Sequence, residues 1–211
     1  MTTAYPVAVS IVVSVAVIRT CIVSVAAIRM LLNRKRMVEE RWGWVELLGL
    51  PELVLLPVVT YVLASNQTPA AELGLPQIGA ALVAALLAAA AAALSLWAGA
   101  TFPSVTTGHY VLEDHQVVSD GPYAWVRHPI YVGVFLIWIS LALAFASPIA
   151  LLITLTYVMP IYYLYMREEE DMLKTQLGEE YLRYFERVGM LFPRLQQRRV
   201  KQHSSAETTR V

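Results

Sequence analysis

Two short polar blocks hold the residues whose types and spacing suit chemistry: Arg127-His128-Pro129 with Tyr131 just behind it, and Arg167-Glu168-Glu169-Glu170-Asp171. Proline at the first turn of a helix sacrifices no bonded N–H and already has helical φ, so Pro129 predicts a helix start. Arg127 and His128 then stand at a helix N-terminus, where unbonded N–H groups and the dipole favour a carboxylate or phosphate. Just upstream, Gly121-Pro122 is turn chemistry. The acids of the second block, if merely solvated, would offset the dipole of a first helical turn. Turned inward, Glu169 or Glu170 would meet a cationic ligand group or Arg127 and His128. Taken singly, Arg127 reads as an anchor, His128 as a cap and Tyr131 as an interfacial aromatic. Three polar groups within five residues, backed by a second block, point instead to a site.

The elements that must position these blocks are apolar. Of 211 residues, 57% are hydrophobic and only 15% charged, against about 25% charged in a soluble domain; the mean hydropathy is +0.55. Lys plus Arg and Asp plus Glu number 16 each, so no basic excess draws in nucleic acid. The single Cys21 excludes an intrachain disulfide and a cysteine-based zinc site, and no metal-ligand cluster is visible in the sequence. A spanning helix needs roughly 20 mostly apolar residues, and spans are expected near 5–32, 44–64, 76–98, 130–146 and 148–166. Ser147-Pro148 joins the last two as a tight helical hairpin. Because those two spans are hairpin neighbours, the polar blocks at their far ends must emerge side by side. The run Ala88–Ala93 suits close helix approach, and Trp42, Trp44, Trp97 and Trp125 fall at span ends as an aromatic belt.

Charge sets orientation. Arg34, Lys35, Arg36 and Arg41 follow the first span, Arg127 precedes the fourth, and a basic-rich segment follows the fifth. The opposite loops lack Lys and Arg, so the N-terminus is expected outside and the C-terminus in the cytoplasm. The first span has no positive n-region and is too long for a cleaved signal, and is expected to be retained. Arg19 falls near mid-bilayer, where charge is expensive and usually paired; a structural ion pair with Glu52 is the expectation.

Nearly all polar chemistry thus lies in two cytoplasmic segments, 101–129 and 167–193. In the second, Met172, Leu173, Leu177, Tyr181, Tyr184, Phe185 and Val188 recur in threes and fours, an amphipathic helix lying on protein or membrane. Gly178 is expected to split it. Residues 1–193 read as one domain, and 194–211 as a disordered basic tail touching anionic lipid. The fold class is all-α: an integral membrane helical bundle of five spans with a cytoplasmic amphipathic segment.

Arg127-His128-Pro129-x-Tyr131-x-Gly133, then Glu169-Glu170-x-x-Leu173, then Gly178-Glu179-Glu180-Tyr181-x-x-Tyr184-x-x-x-Val188 resembles the isoprenylcysteine carboxyl methyltransferase family. The resemblance runs from Thr101 to Pro193 and includes His115-x-Val117 and the Gly-x-Tyr of Gly121 and Tyr123. It implies a transferase using S-adenosylmethionine, lodged where the last helices reach the cytoplasm beneath the C-terminal segment. Carried over by motif, His115, Val117, Gly121, Tyr123, Arg127, His128, Pro129, Tyr131, Glu169 and Glu170 would shape the cofactor pocket. Val117 stands where the family usually has leucine. Tyr184 and Arg187 would face the acceptor, and with Glu170 form the expected catalytic set. His109 matches no motif and reads as surface. The multi-pass protein would sit in the bacterial inner membrane of a prokaryote or the endoplasmic reticulum of a eukaryote.

Methyl transfer from a sulfonium is an in-line displacement, so the protein's tasks are alignment and exclusion of water. The implied acceptor is a prenylcysteine-like carboxylate, which is ionised at neutral pH and needs no general base. An amine acceptor on a phospholipid, or a small thiol, would need Glu or His to take a proton; both stand as alternatives. A lipophilic acceptor would approach sideways from the bilayer. NADPH-dependent sterol-type reductases also carry an Arg-His-Pro segment. They usually follow it with Asn and a nearby acid where this chain has Ile130 and Val134, and have Trp where it has Tyr181. A membrane scaffold or transporter would leave both polar blocks unexplained.

Overall fold

A computed structural model describes residues 4–32, 37–40, 44–65, 75–102, 110–112 and 116–194, with side chains except at 4, 23–32, 37–40, 44–53, 75 and 110–112. The stretches expected to span are helical: α1 (Ala4–Leu32), α2 (Trp44–Ser65), α3 (Leu75–Thr101), α4 (Pro129–Ala144) and the pair α5 (Pro148–Ile153) and α6 (Met159–Arg187). Among the described residues, the one addition to the all-helical expectation is a short antiparallel ribbon, β1 (Met37–Glu40) with β2 (Tyr110–Leu112), which pairs chain that follows α1 with chain that follows α3. Three helical stretches, within α1, in α3 and from Pro148 to Arg187, are long and apolar enough to cross a membrane. Only 28% of the α1 and α3 windows is buried within the protein. Their outer faces carry exposed Val7, Ile11, Ile18, Leu82, Val83 and Leu86, which suits lipid rather than water. This is an integral membrane protein.

α4 is the hub. Its Val134, Ile137, Trp138 and Leu141 pack with Val12 and Ala16 of α1, Leu56 of α2, and Ala84, Ala88 and Ala91 of α3. Small residues let α3 and α4 approach closely: a Cβ at Gly133 would lie 2.7 Å from Ser95 Oγ and 3.4 Å from the Ala91 carbonyl. α4 ends in a Schellman-type turn. Ser147 N–H donates to the Ala142 carbonyl at 2.9 Å and Ala146 N–H to that of Leu143 at 3.3 Å, with Ala146 left-handed at φ 45°. Ser147 then caps α5, its Oγ accepting from Ala150 N–H at 3.2 Å.

From Pro148 the helix continues through a π turn at Thr154–Val158 into α6. Pro160 has no N–H for the carbonyl four residues back and would clash with it, and the wider turn accommodates that defect. At 1.5 Å per residue the stretch from Pro148 to the break at Gly178 extends about 45 Å, longer than the hydrocarbon core of about 30 Å. The far part carries exposed Arg167 and Glu168.

Candidate active site

The hairpin does bring the two polar blocks together. His128 occupies the N-cap position of α4, with Pro129 in the first turn. The chain after α6 folds back on this start: Arg127 N–H donates to the Gly189 carbonyl at 2.8 Å, His128 N–H to that of Met190 at 3.2 Å, and Val126 pairs with Gly189 in a parallel bridge. Gly189 is obligatory there, since a Cβ would collide with the Phe192 carbonyl.

Inside this clasp Arg127 is buried and fully engaged. Its Nε donates to Glu170 Oε1 at 2.7 Å, and Nη2 lies 2.7 Å from the same oxygen. Nη1 donates to the Phe185 carbonyl at 3.0 Å and to the Val188 carbonyl, and the guanidinium carbon sits 4.2 Å from the Phe185 ring centre. His128 Nε2 is 3.1 Å from Glu170 Oε1, while its Nδ1 lies 3.5 Å from Glu169 Oε2. Tyr131 donates to Glu169 Oε2 at 3.0 Å. Its ring stacks on His128 at 5.5 Å and meets Tyr162 at 5.3 Å. Glu170 is 1% exposed. Burial pushes its carboxyl pKa up, but hydrogen bonds from His128 and Arg127 outweigh that and hold it below the ordinary carboxylate value.

An apolar pad closes over the clasp. Met172, Leu173, Tyr181, Tyr184 and Val188 pack together with Val117, Leu177 and Phe185. Gly178 is the break expected between the halves of this segment, at φ 54° and ψ −133°; no side chain crowds it, so the requirement is conformational. Tyr184 donates to the Tyr123 carbonyl at 2.8 Å. The Tyr123 turn rests on the end of α3, where a Cβ at Gly121 would lie 2.5 Å from Thr101 Oγ1. Tyr123 is 7% exposed, and its hydroxyl has no hydrogen-bond partner among the described residues. Burial pushes the phenols of Tyr123, Tyr181 and Tyr184 well above their ordinary value. All three are therefore donors rather than bases at neutral pH.

An open cavity of about 380 Å³ adjoins the pad, lined by Val117, Ser119, Glu180, Arg183, Tyr184, Glu186 and Arg187. Small-molecule sites begin at about 300 Å³. Of the sequence candidates, Arg127, His128, Tyr131, Glu169 and Glu170 form one cluster of hydrogen bonds and ionic contacts. Val117, Tyr184 and Arg187 line the cavity beside it, and Gly121, Tyr123 and Pro129 shape the backbone around both. His115 and the tail from 195 onward lie outside the described residues, as do Arg34, Lys35, Arg36 and Arg41. So does the side chain of Glu52; Arg19 is hydrogen-bonded to the Tyr162 hydroxyl at 3.0 Å. Sequence reasoning missed Phe185, whose ring and carbonyl both serve Arg127, and the carbonyls of Val188, Gly189 and Met190. Gly189, directly after the amphipathic run, was the available signal.

Fold and site together define an α-helical integral membrane protein with a buried ionic cluster beside an open cavity at one end of its bundle. Residues 80–175 match the sequence model of the Isoprenylcysteine carboxyl methyltransferase (ICMT) family, which bears out the resemblance seen in the motifs. The chain is similar to the protein-S-isoprenylcysteine O-methyltransferase of Saccharomyces cerevisiae, 34% identical over 80 residues, 38% of this chain and 34% of that one. It is also similar to those of Homo sapiens, 36% identical over 84 residues, and Tribolium castaneum, 33% over 88, each match covering 38% of this chain and 28% of the relative. The matched stretch thus spans about a third of the yeast protein and less of the others. Tyr184, Arg187 and all of α1 and α2 lie beyond the residues that match the family.

Proposed function

We propose that this protein transfers a methyl group from S-adenosylmethionine to the carboxylate of a prenylcysteine-like, lipophilic acceptor at the membrane surface. The observation that supports this reading best is the buried Arg127–Glu170–His128–Glu169–Tyr131 cluster beside a cavity lined by Tyr184 and Arg187. The residues fit a small polar ligand. Tyr123 offers a buried hydroxyl without a partner, which costs about 1–3 kcal/mol unless a ligand satisfies it, and Glu169 keeps 24% of its side chain exposed.

S-adenosylmethionine, when bound, supplies an electrophilic methyl group on a sulfonium. Arg127 and Glu170 act by holding the segment after α6 against the start of α4, and so keep the pocket walls together. Glu169, oriented by Tyr131 and His128, presents negative charge to a cationic ligand. Tyr123 donates from within the pad, and Val117 and Tyr184 exclude water. Arg187 orients the acceptor carboxylate, which is ionised at neutral pH and needs no base; a looser pairing than a buried fork leaves that oxygen nucleophilic. His115 belongs to the same pocket by motif. Residues 1–193 act as one domain, with the N-terminus outside, the site on the cytoplasmic face and acceptor entering from the bilayer.

Calorimetry with S-adenosylhomocysteine and, separately, NADPH on the detergent-purified protein tests the class. Saturable binding of the first alone is expected; NADPH alone would make the chain a reductase. Methylation of a prenylcysteine carboxylate, with lipid amines and thiols offered in parallel, then tests the acceptor.

A further inference from the structure

Helix α1 lies outside the family match, yet its Arg19 reaches the site through a connected series of contacts. Arg19 Nη2 donates to the Tyr162 hydroxyl at 3.0 Å. The Tyr162 ring lies 5.3 Å from that of Tyr131, and Phe135 and Tyr165 meet it edge-on and tilted, each at 6.0 Å. Tyr131 thus touches the rings of both Tyr162 and His128, and its hydroxyl holds Glu169 at 3.0 Å.

We propose that Arg19 and Tyr162 are positioning residues: by fixing the Tyr162 ring, Arg19 sets the orientation of Tyr131 and through it the carboxylate of Glu169. The proposal rests on the cofactor reading only for its effect on affinity. A tyrosine ring has two torsions, and packing against two neighbouring rings narrows the arrangements open to its hydroxyl. Aromatic contacts of this geometry add to the effect of burial and bias the ring toward one rotamer. A charge within the membrane is costly and persists where it is paired or functional. Arg19 is hydrogen-bonded to the hydroxyl of a tyrosine whose ring touches the site. It also makes α1 part of the functional unit rather than a passive anchor.

The test places 3-fluorotyrosine at position 131 of the full chain in detergent and follows its fluorine resonance. Arg19→Met and Tyr162→Leu are expected to shift or broaden it; Tyr162→Phe, which keeps the ring but loses the Arg19 hydrogen bond, gives a smaller change, and Arg19→Lys recovers part of the original signal. Arg19→Met should weaken S-adenosylhomocysteine binding about three- to tenfold, with no further loss once Glu169→Gln is present. A resonance unmoved in Arg19→Met and Tyr162→Phe alike, or affinity losses that simply add, overturns the proposal. If the unsubstituted protein binds no S-adenosylhomocysteine, the cofactor reading fails, and the fluorine resonance still decides the positioning.

Discussion

Arg127 approaches Glu170 with Nε and Nη2 both 2.7 Å from a single carboxylate oxygen, across 43 residues of sequence and deep in the clasp between α4 and α6. Both side chains are nearly inaccessible, at 4% and 2% exposure. Removing one partner of such a pair strands a buried charge and costs about 3–5 kcal/mol. Arg127→Met should therefore destabilise the protein by that order in a denaturant or thermal titration in detergent. The double substitution Arg127→Met with Glu170→Met should recover more than half of the loss. If the double variant is as unstable as the single one, the pair holds nothing together by its charge.

The same pair sets a pH dependence. The Glu170 pKa is lower in the folded protein than its ordinary value of 4.5, so the unfolded chain takes up the proton first as pH falls. The stabilisation is complete above the ordinary value and is lost as pH drops through the lower, folded one. Melting temperature should fall on that acid limb, and Glu170→Gln should flatten it while lowering the plateau at neutral pH. An acid limb identical in the two proteins would assign it to other carboxylates.

Gly178 holds a conformation that side-chain-bearing residues adopt only at a cost of order 1–3 kcal/mol. The kink turns the face bearing Tyr181 and Tyr184 onto Val117 and Met172. Gly178→Ala is expected to loosen the pad, quicken hydrogen exchange over residues 179–189 and weaken S-adenosylhomocysteine binding, while the bundle stays helical by circular dichroism. Unchanged exchange in that segment would mean the kink is incidental.

Much of this arrangement was legible in the sequence because hydropathy and punctuation act locally. Ser147-Pro148 marked the hairpin, and the hairpin forces Arg127 and Glu170 together whatever the packing details. Gly178 declared its kink through the φ it alone tolerates. The inward turn of Glu170 toward Arg127 was one of the readings open in the sequence, but the rest of the arginine's engagement was less accessible: only the return of the chain after α6 shows the guanidinium also taken up by the backbone carbonyls of Phe185 and Val188. That return is held by main-chain hydrogen bonds, which leave little trace in side-chain identity beyond Gly189. Tyr162 was equally hidden, one apolar-compatible ring among many in a span. The π turn before Pro160 answers to an N–H that is missing, which periodicity does not register.

At the opposite end of α4, Ala146 occupies a left-handed position at φ 45° that favours glycine at the end of a helix. Ala146→Gly relieves that strain and should raise stability by on the order of 0.5–1 kcal/mol. The site lies a whole helix away, so S-adenosylhomocysteine affinity should not change. A drop in melting temperature would show that the turn's rigidity matters more than its strain.

Tyr123 separates stability from binding. Its hydroxyl is buried without a partner among the described residues, and burial, with Glu169 and Tyr184 nearby, keeps it protonated. Leaving such a group unsatisfied costs about 1–3 kcal/mol, whereas the phenyl ring alone would keep its contact with Phe102 at 6.3 Å. Tyr123→Phe is therefore expected to stabilise the ligand-free protein, by about 1 kcal/mol, and to weaken S-adenosylhomocysteine binding about fivefold to tenfold through the lost hydrogen bond. Opposite signs in the two measurements are what a group held ready for a ligand produces. A residue serving only the packing of the pad would instead lower the melting temperature and leave the affinity as it was.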